Sequence, residues 1–598
     1  MSITKELYQR NVIAKISINL LRFVRQYKFI ISIILCASII TGRVLAQHVP
    51  IYNKKDIFHP ITAQNGMVAS QEIYATEAGL EVLKEGGNAV DAAVTIGFTL
   101  AVTFPEAGNI GGGGFMLVHL AKENQTLAID YREKAPKAAT RDMFLNEFGE
   151  VDPEKSQHSY LAVGVPGTVA GLTMALEKYG TIPLERALKP AIELAENGFT
   201  VSEFLHDSLI AAKEQMQASP ASMEIFFKPG RVPYEVGEIL VQKDLATSLK
   251  QIAKEGAEAF YQGAIADAIV ADMAANGGLI TKEDLASYKP VIREPIQGNY
   301  RGYQIYSMPP PSSGGIHLVQ LLNILEGFPL AEFGHNTAQT IHVMAESMKL
   351  AYADRSKYLG DPDFVSVPMA GLISKPYANE LRQKINLNQA TPSADIMPVN
   401  PKMVTESQDT THYSVMDRYG NAVANTYTLN LSYGSKITAA GTGILLNDEM
   451  DDFSAKPGTP NAFGLIGGEF NAIEPEKRML SSMTPTIVMK DGKVYLVTGS
   501  RGGSLIITTV LQIILNAIDH QMNIAAATNG VRVHHQWLPD QLRIEQGLSG
   551  DTINLLTKKG HNISIQNAIG STQSIRRVGN SFQGASDPRQ SGALTLGY

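Results

Sequence analysis

Between Gln71 and Phe104 apolar residues recur at helical spacing, interrupted at Gly86-Gly87. The pattern predicts two helices, the second opening near Asn88 and turning Val90, Ala93, Val94 and Phe98 toward a core. The period then changes to alternation. GNIGGGGFMLVHL predicts a glycine-rich approach to a strand, and after a turn at Lys122 to Asn124 a second strand runs through Leu127 to Tyr131. Tyr160 to Leu387 reads as largely helical, with turns at Pro166-Gly167, Gly277-Gly278 and Pro309-Pro310-Pro311, and as scaffolding with little chemistry. From Ala390 to Asp409 the chain is polar and carries Pro392, Pro398 and Pro401, which predicts an exposed loop. Loop becomes strand at Thr410 or Thr411. The strand runs to Met416, turns at Asp417 to Asn421 and returns from Ala422 to Leu429, placing Thr428 and Asn430 beside the first threonines and on one face. A second hairpin is expected from Thr484 to Thr498 around Asp491-Gly492, and GSRGGS then leads into a long apolar helix from about Ser504 to Asp519.

Composition narrows the class without naming it. The 598 residues are 44% apolar and 18% charged, ordinary for a globular chain with a large core. The formal charge of −7 hides an asymmetry, because residues 1–46 hold seven Lys/Arg against one Glu. The acidic remainder argues against nucleic acid as a partner. The basic segment leads into an uncharged run, Phe29 to Gly42, and Val44-Leu45-Ala46 ahead of Gln47, which reads as a secretory signal cut after Ala46. An uncleaved anchor is the competing reading, although 14 residues are short for a span. The lone Cys36 lies in this segment, so its removal excludes disulfides, thiol nucleophiles and thiolate metal sites together.

Candidate chemistry is sparse. The glycine run lacks the Gly-Lys-Ser/Thr ending of a phosphate loop and precedes a strand, so it reads as close backbone packing. His534 and His535 are adjacent and poorly spaced to share an ion, so both read as structural. Thr410 and Thr411 taken alone are two hydroxyls opening a hairpin. A threonine there gains chemistry only if the chain is cut before it, since the freed α-amine, pKa about 7.7 to 8.0, could serve its own hydroxyl as base.

The motifs decide between these readings. TTHYS and GNAVANTYTLNLSYG, with LLNDEMDDFSAKPG, MLSSMTPTIV, GSRGGS, HHQWLPD and STQSI downstream and GGNAVDAAV, GNIGGGGFM and DYREKAP upstream, resemble the γ-glutamyltransferases of the N-terminal-nucleophile hydrolases. The resemblance covers essentially the whole chain beyond Ala46. It implies a four-layer αββα sandwich built jointly by a large subunit, residues 47–409, and a small catalytic subunit, residues 410–598, after residues 1–46 are removed.

It also implies a set of roles. Self-cleavage falls between Asp409 and Thr410, Thr410 is the nucleophile, Thr428 hydrogen-bonds its hydroxyl, and Gly502 and Gly503 form the oxyanion hole. Arg132 grips the α-carboxylate of a γ-glutamyl donor, aided by Ser481 and Ser482, while Asn430, Glu449 and Asp452 hold its α-ammonium. The expected substrates are glutathione and other γ-glutamyl compounds with water, amino acids or peptides as acceptors, and the expected location is the periplasm. No cofactor, metal, nucleic acid or retained membrane span is expected. Ser454 to Leu465 resembles a lid loop, with Phe463 where a tyrosine is common, so any closure rests on apolar contact. Arg501 lends positive potential to the glycines or points to solvent. A glutaryl or cephalosporin acylase and a non-processing γ-glutamyl-binding protein are the alternatives.

Overall fold

A computed structural model describes residues 57–396 and 410–598, with Ser17, residues 19–22 and Arg25. Most of the expected signal, Cys36 included, and Asp409 lie outside the described residues. Phe58–Tyr598 forms one compact unit. Among the described residues no helix is long and apolar enough to cross a membrane.

Two antiparallel sheets form the centre of that unit. One has seven strands in the order Leu594–Gly597, Met67–Ser70, Thr411–Met416, Ala422–Thr428, Gly113–Leu120, Gln125–Tyr131 and Val291–Arg293. The other runs Ile61–Ala63, Ser581–Ser586, Ser571–Val578, Lys493–Thr498, Thr486–Lys490, Tyr303–Ser307 and Ile296–Tyr300, with Ser500–Arg501 also paired to Ser571–Val578.

Residue parity shows how the layers stack. Successive strand side chains point to opposite faces. Met116, Val118, Ile129, Tyr413, Val415, Val423 and Tyr427 join one core with the helices Ile73–Lys84, Ala89–Thr103, Thr168–Tyr179 and Leu184–Asn197. Their neighbours Phe115, Leu117, Ala128, Met416 and Ala424 join a second core with Ile487, Leu496, Val497 and Ile575 of the other sheet and the helices Gly314–Leu325, Ala338–Tyr358 and Leu505–Ile518. The fold is therefore a four-layer αββα sandwich. Strands covered on both faces are buried at nearly every position, as in Thr411–Met416.

Local signals hold in the elements nearest the centre. Asn88 caps the helix Ala89–Thr103 through a capping box with Asp91. The first expected hairpin forms in register, Thr411 opposite Tyr427 and Met416 opposite Ala422, although its return strand ends at Thr428. Asp491 and Gly492 both take positive φ, 51° and 72°, between Thr486–Lys490 and Lys493–Thr498.

Two expectations are refined. The stretch Tyr160 to Leu387 is largely helical as expected, and it also contains the strands Val291–Arg293, Ile296–Tyr300 and Tyr303–Ser307. The last two pair with each other through a tight turn at Arg301-Gly302 and form one border of the second sheet. They are half-buried and rich in polar residues and glycine, so their alternation is too short to stand out from its helical surroundings. The segment 390–396 is only partly exposed, with Pro392, Ala394 and Asp395 in solvent, and ends in the short helix Ser393–Ile396. Ala390 and Ser393 are buried, Ala390 N–H donates to Lys559 O at 2.7 Å, Ser393 N–H to Asp540 Oδ2 at 2.9 Å, and Trp537 Nε1–H to Ser393 O at 2.9 Å.

Candidate active site

Thr410 sits at the mouth of the strand Thr411–Met416, and the hairpin register brings it opposite Thr428, with 3.5 Å between the hydroxyl oxygens. Both are buried in the gap between the two sheets, on the face shared by His412 and Thr426, whose side chains bond at 2.8 Å. Burial pushes His412 down to about 3, so its imidazole is neutral and structural. Thr428 is fixed from two directions: its hydroxyl accepts from Asn430 N–H at 2.9 Å and its carbonyl from Asn109 Nδ2 at 2.8 Å. Asn430 occupies the left-handed region at φ 81°, which a short amide tolerates, and donates through Nδ2 to Asp448 O at 3.1 Å.

The glycine run explains how this corner closes. A Cβ at Gly112 would collide with Thr428 O, and one at Gly114 with Tyr427. Only bare backbone lets the strand Gly113–Leu120 lie against the return strand, which agrees with the packing expected of these glycines.

Arg132 lies just past the end of Gln125–Tyr131, fully buried. Its Nη1 pairs with Glu449, its Nη2 with Asp452, and its Nε donates to Met479 O at 3.3 Å. Burial disfavours its charge, but Glu449, Asp452 and Glu133 together hold it protonated. The carboxylates respond to the same burial. Glu133, 3.6 Å from Nη1 and without a hydrogen-bond partner for either side-chain oxygen among the described residues, is pushed up to about 8. Burial likewise raises Glu449 and Asp452, with Arg132 pulling both down. The guanidinium is thus matched by its own acids. Ser481 and Ser482, buried beside it, complete that wall.

Gly502 and Gly503 join the strand Ser500–Arg501 to the helix Leu505–Ile518 with φ of 123° and 51°, conformations that side chains rarely adopt. Among the described residues no acceptor meets the N–H of either glycine. Donors of this kind at a helix N-terminus suit an oxyanion. Arg501 does not point to solvent. It is buried, 3.2 Å from Glu106 Oε1, and donates to Gln590 Oε1 at 2.7 Å.

These residues enclose one small cavity. Arg132, Thr410, Thr428, Asn430, Asp452, Phe463, Ser481, Ser482 and Gly503 line it, and its volume is about 20 Å³, room for roughly one water. Glu449 and Gly502 stand behind the wall, Glu449 against Arg132 and Gly502 beside Gly503. Phe463 is buried and fills the space above Gly503. Its loop is tied down by Asn461, which donates to Asp452 Oδ1 at 3.0 Å, and by Ala462 N–H, which donates to Asp451 Oδ2 at 3.0 Å.

Sequence reasoning missed Glu133 and Asn109, and it saw Asp451 only as one of the clustered acids beside Glu449 and Asp452, without a role. Asp451 also accepts from Ser156 Oγ at 2.6 Å and Gln157 Nε2 at 3.3 Å, so it fastens the loop to a distant part of the chain, and burial raises its carboxyl to about 6. The adjacency of Glu133 to Arg132 was visible, but its burial was not. His534 and His535 bond to Thr508, Gln536 and Asp540. Among the described residues, His342, Glu346 and His561 approach closely enough to share a cation. Their atoms already serve one another: His342 Nδ1 and His561 Nε2 bond at 2.8 Å, and the Glu346 oxygens accept from Lys349 Nζ at 2.9 Å and Thr391 N–H at 3.0 Å.

Comparison with known proteins agrees with this constellation. The sequence model of the gamma-glutamyltranspeptidase family matches residues 75–596. The glutathione hydrolase proenzyme of Escherichia coli (strain K12) is 57% identical over 548 residues, 91% of this chain and 94% of the relative. Among solved structures, a cephalosporin acylase from Bacillus halodurans superposes with a TM-score of 0.80 at 29% identity over 92% of this chain and 99% of its own. A chain of Helicobacter pylori gamma-glutamyltranspeptidase matches at 50% identity with a TM-score of 0.54, over 58% of this chain and 97% of its own. From the paired threonines to the glycine turn, the architecture and the sequence point the same way, and the chain belongs to the gamma-glutamyltranspeptidase family.

Proposed function

We infer that this protein is a γ-glutamyltransferase and glutathione hydrolase, made as a precursor that cuts itself between Asp409 and Thr410. The observation that carries the reading is the single cavity in which Thr410 faces Arg132, Asp452 and the serine pair. A γ-glutamyl group carries a carboxylate and an ammonium on one carbon, and a guanidinium beside carboxylates matches both charges and fixes which way round the group lies. A glutaryl acylase has no ammonium to bind and less use for Asp452 and Glu449.

In maturation the Thr410 hydroxyl attacks the carbonyl of Asp409, and the peptide nitrogen leaves as the α-amine of Thr410. Water hydrolyses the resulting ester, returning Asp409 as a free carboxyl terminus. Residues 47–409 and 410–598 stay together as large and small subunits. The Helicobacter pylori chain, matched over 97% of its length but covering 58% of this one, has the extent expected of a separate large subunit.

In turnover the freed amine takes the proton of the Thr410 hydroxyl as its oxygen attacks the γ-carbonyl. The oxyanion rests on the N–H groups of Gly502 and Gly503, each donor of this type contributing about two to three powers of ten in rate. The leaving amine takes the proton, and a γ-glutamyl ester remains on Thr410. Water then releases glutamate, or an amino acid or peptide amine takes the γ-glutamyl group, so the cycle draws on no cofactor. A cavity of about 20 Å³ cannot hold a glutamyl group, so Phe463 swings aside to admit one. Cleavage after Ala46 delivers the enzyme to the periplasm.

The test is purification followed by a denaturing gel and mass spectrometry of both chain starts, with L-γ-glutamyl and glutaryl p-nitroanilides compared as donors. Two bands with a start at Thr410 and preference for the γ-glutamyl donor are expected. One continuous active chain would overturn the mechanism, and preference for the glutaryl donor would replace the enzyme with the acylase.

A further inference from the structure

We propose that Arg355 is a positioning residue for donor recognition, holding the oxygen of Ser482 so that its hydroxyl proton is aimed into the cavity. Arg355 stands near the end of the helix Ala338–Tyr358, inside the stretch whose sequence offered little chemistry, and only 5% of it is exposed. Its Nη2 donates to Ser482 Oγ at 3.3 Å and its Nε to Ser313 Oγ at 3.1 Å.

The direction of these bonds is not negotiable. A guanidinium has donors and no acceptor, so both serine oxygens accept. Ser313 spends its own proton on Ser481 O at 2.8 Å, and its N–H meets the same carbonyl at 2.8 Å, which anchors the backbone of the serine pair. Ser482 has its oxygen occupied from behind, and among the described residues no acceptor meets its O–H. Ser482 lines the cavity. Its proton therefore faces the space where the proposed function puts the donor α-carboxylate.

Charge reinforces the geometry. Arg132 is matched by Glu449 and Asp452, whereas among the described residues Arg355 has no ion-pair partner. Its hydrogen-bond partners are neutral serines, and Asp452 and Arg132 act on it only through their fields and in opposite senses; the guanidinium therefore keeps its pull on an arriving anion and polarises the hydroxyl that lies between them. Lysine would keep the charge and lose the fork, since one ammonium cannot reproduce the planar pair of donors to Ser313 and Ser482.

The proposal rests on Ser482 binding the donor carboxylate, and the experiment separates the two claims. Ser482→Ala, Arg355→Lys, Arg355→Gln and the double variant Ser482→Ala/Arg355→Lys are purified, and KM and kcat are measured with L-γ-glutamyl p-nitroanilide. Gels and thermal melts report maturation and folding. Each single variant is expected to raise KM about tenfold or more, the scale of one hydrogen bond to a charged group, with kcat within about threefold of the parent. The double variant is expected to be no worse than Ser482→Ala, because both changes remove one interaction. If Ser482→Ala leaves KM unchanged, the carboxylate reading of that serine falls and takes the proposal with it. If Ser482→Ala raises KM but Arg355→Lys does not, or if the two effects multiply, Arg355 is structural and the proposal alone is overturned. Should Arg355→Gln fail to mature, the lysine variant, which keeps the buried charge, decides the matter.

Discussion

The ring of Phe463 lies so close over Gly503 that a Cβ on that glycine would run into it. The residue proposed to stabilise the oxyanion is thus also the floor on which the loop closes.

Gly503→Ala therefore carries two separable penalties, a blocked loop and a strained backbone at φ 51°. We expect kcat to fall by about two powers of ten. Adding Phe463→Ala relieves the collision and leaves the strain, so it should restore part of the lost stability in a thermal melt while kcat stays low. Full recovery of kcat in the double variant would mean that the collision, and not a displaced Gly503 N–H, caused the loss.

Thr410→Ala should give one uncut chain without hydrolysis or transfer activity, seen as a single band on a denaturing gel. Thr428→Ala should slow maturation and keep the hairpin, because the Asn109 bond to the Thr428 carbonyl at 2.8 Å survives the change. Normal processing of Thr410→Ala would remove that residue from its role.

Arg132→Lys replaces a buried fork with a point charge that cannot face Glu449 and Asp452 together. KM for γ-glutamyl donors should rise at least tenfold, as read from initial rates. Arg132→Met leaves the buried Glu449 and Asp452 without their ion-pair partner, a change that destabilises by about 3 to 5 kcal/mol, and urea unfolding measures the loss.

Asp451 supplies a pH signature. Burial raises its carboxyl from 3.8 to about 6, so the folded protein binds that proton more tightly than the unfolded chain. Its stabilising contribution is complete below pH 3.8 and is lost as pH rises through about 6. The lost contribution is on the order of 3 kcal/mol. Urea unfolding of Asp451→Asn between pH 4 and 7 should lack this component, so the gap between the two stability curves changes across that range. A constant gap would show that Asp451 does not titrate there.

Much of the centre was legible because it is local. The hairpin of Thr411–Met416 and Ala422–Thr428 announces itself by alternation around a turn, the break at Gly86-Gly87 separates two helices, and Asp491-Gly492 closes the second hairpin. The half-buried strands Ile296–Tyr300 and Tyr303–Ser307 were lost because one buried residue in two, with glycines between, resembles a loop. Asn109 and Asp451 act through partners 319 and 295 positions away, Thr428 and Ser156, and no local period encodes such pairings. The motifs named Glu449, yet only packing could reveal that it stands behind Arg132. The anchoring of Ala390 and Ser393 depends on Trp537, Asp540 and Lys559, which that stretch of sequence does not mention.

The seven-stranded sheet interleaves its parentage: Leu594–Gly597 beside Met67–Ser70, then the hairpin beginning at Thr411, then Gly113–Leu120. In the proposed maturation neither fragment would own a complete sheet, so once the bond before Thr410 was gone the native pattern would record a connection that no longer existed. Strands that met as parts of one molecule would afterwards have to find each other as two, at a rate set by concentration, while their exposed edges invite other partners. A protein matured by the proposed cut would thus be the product of a one-way history: denatured and returned to buffer, it should regain its shape far less readily than the uncut chain does.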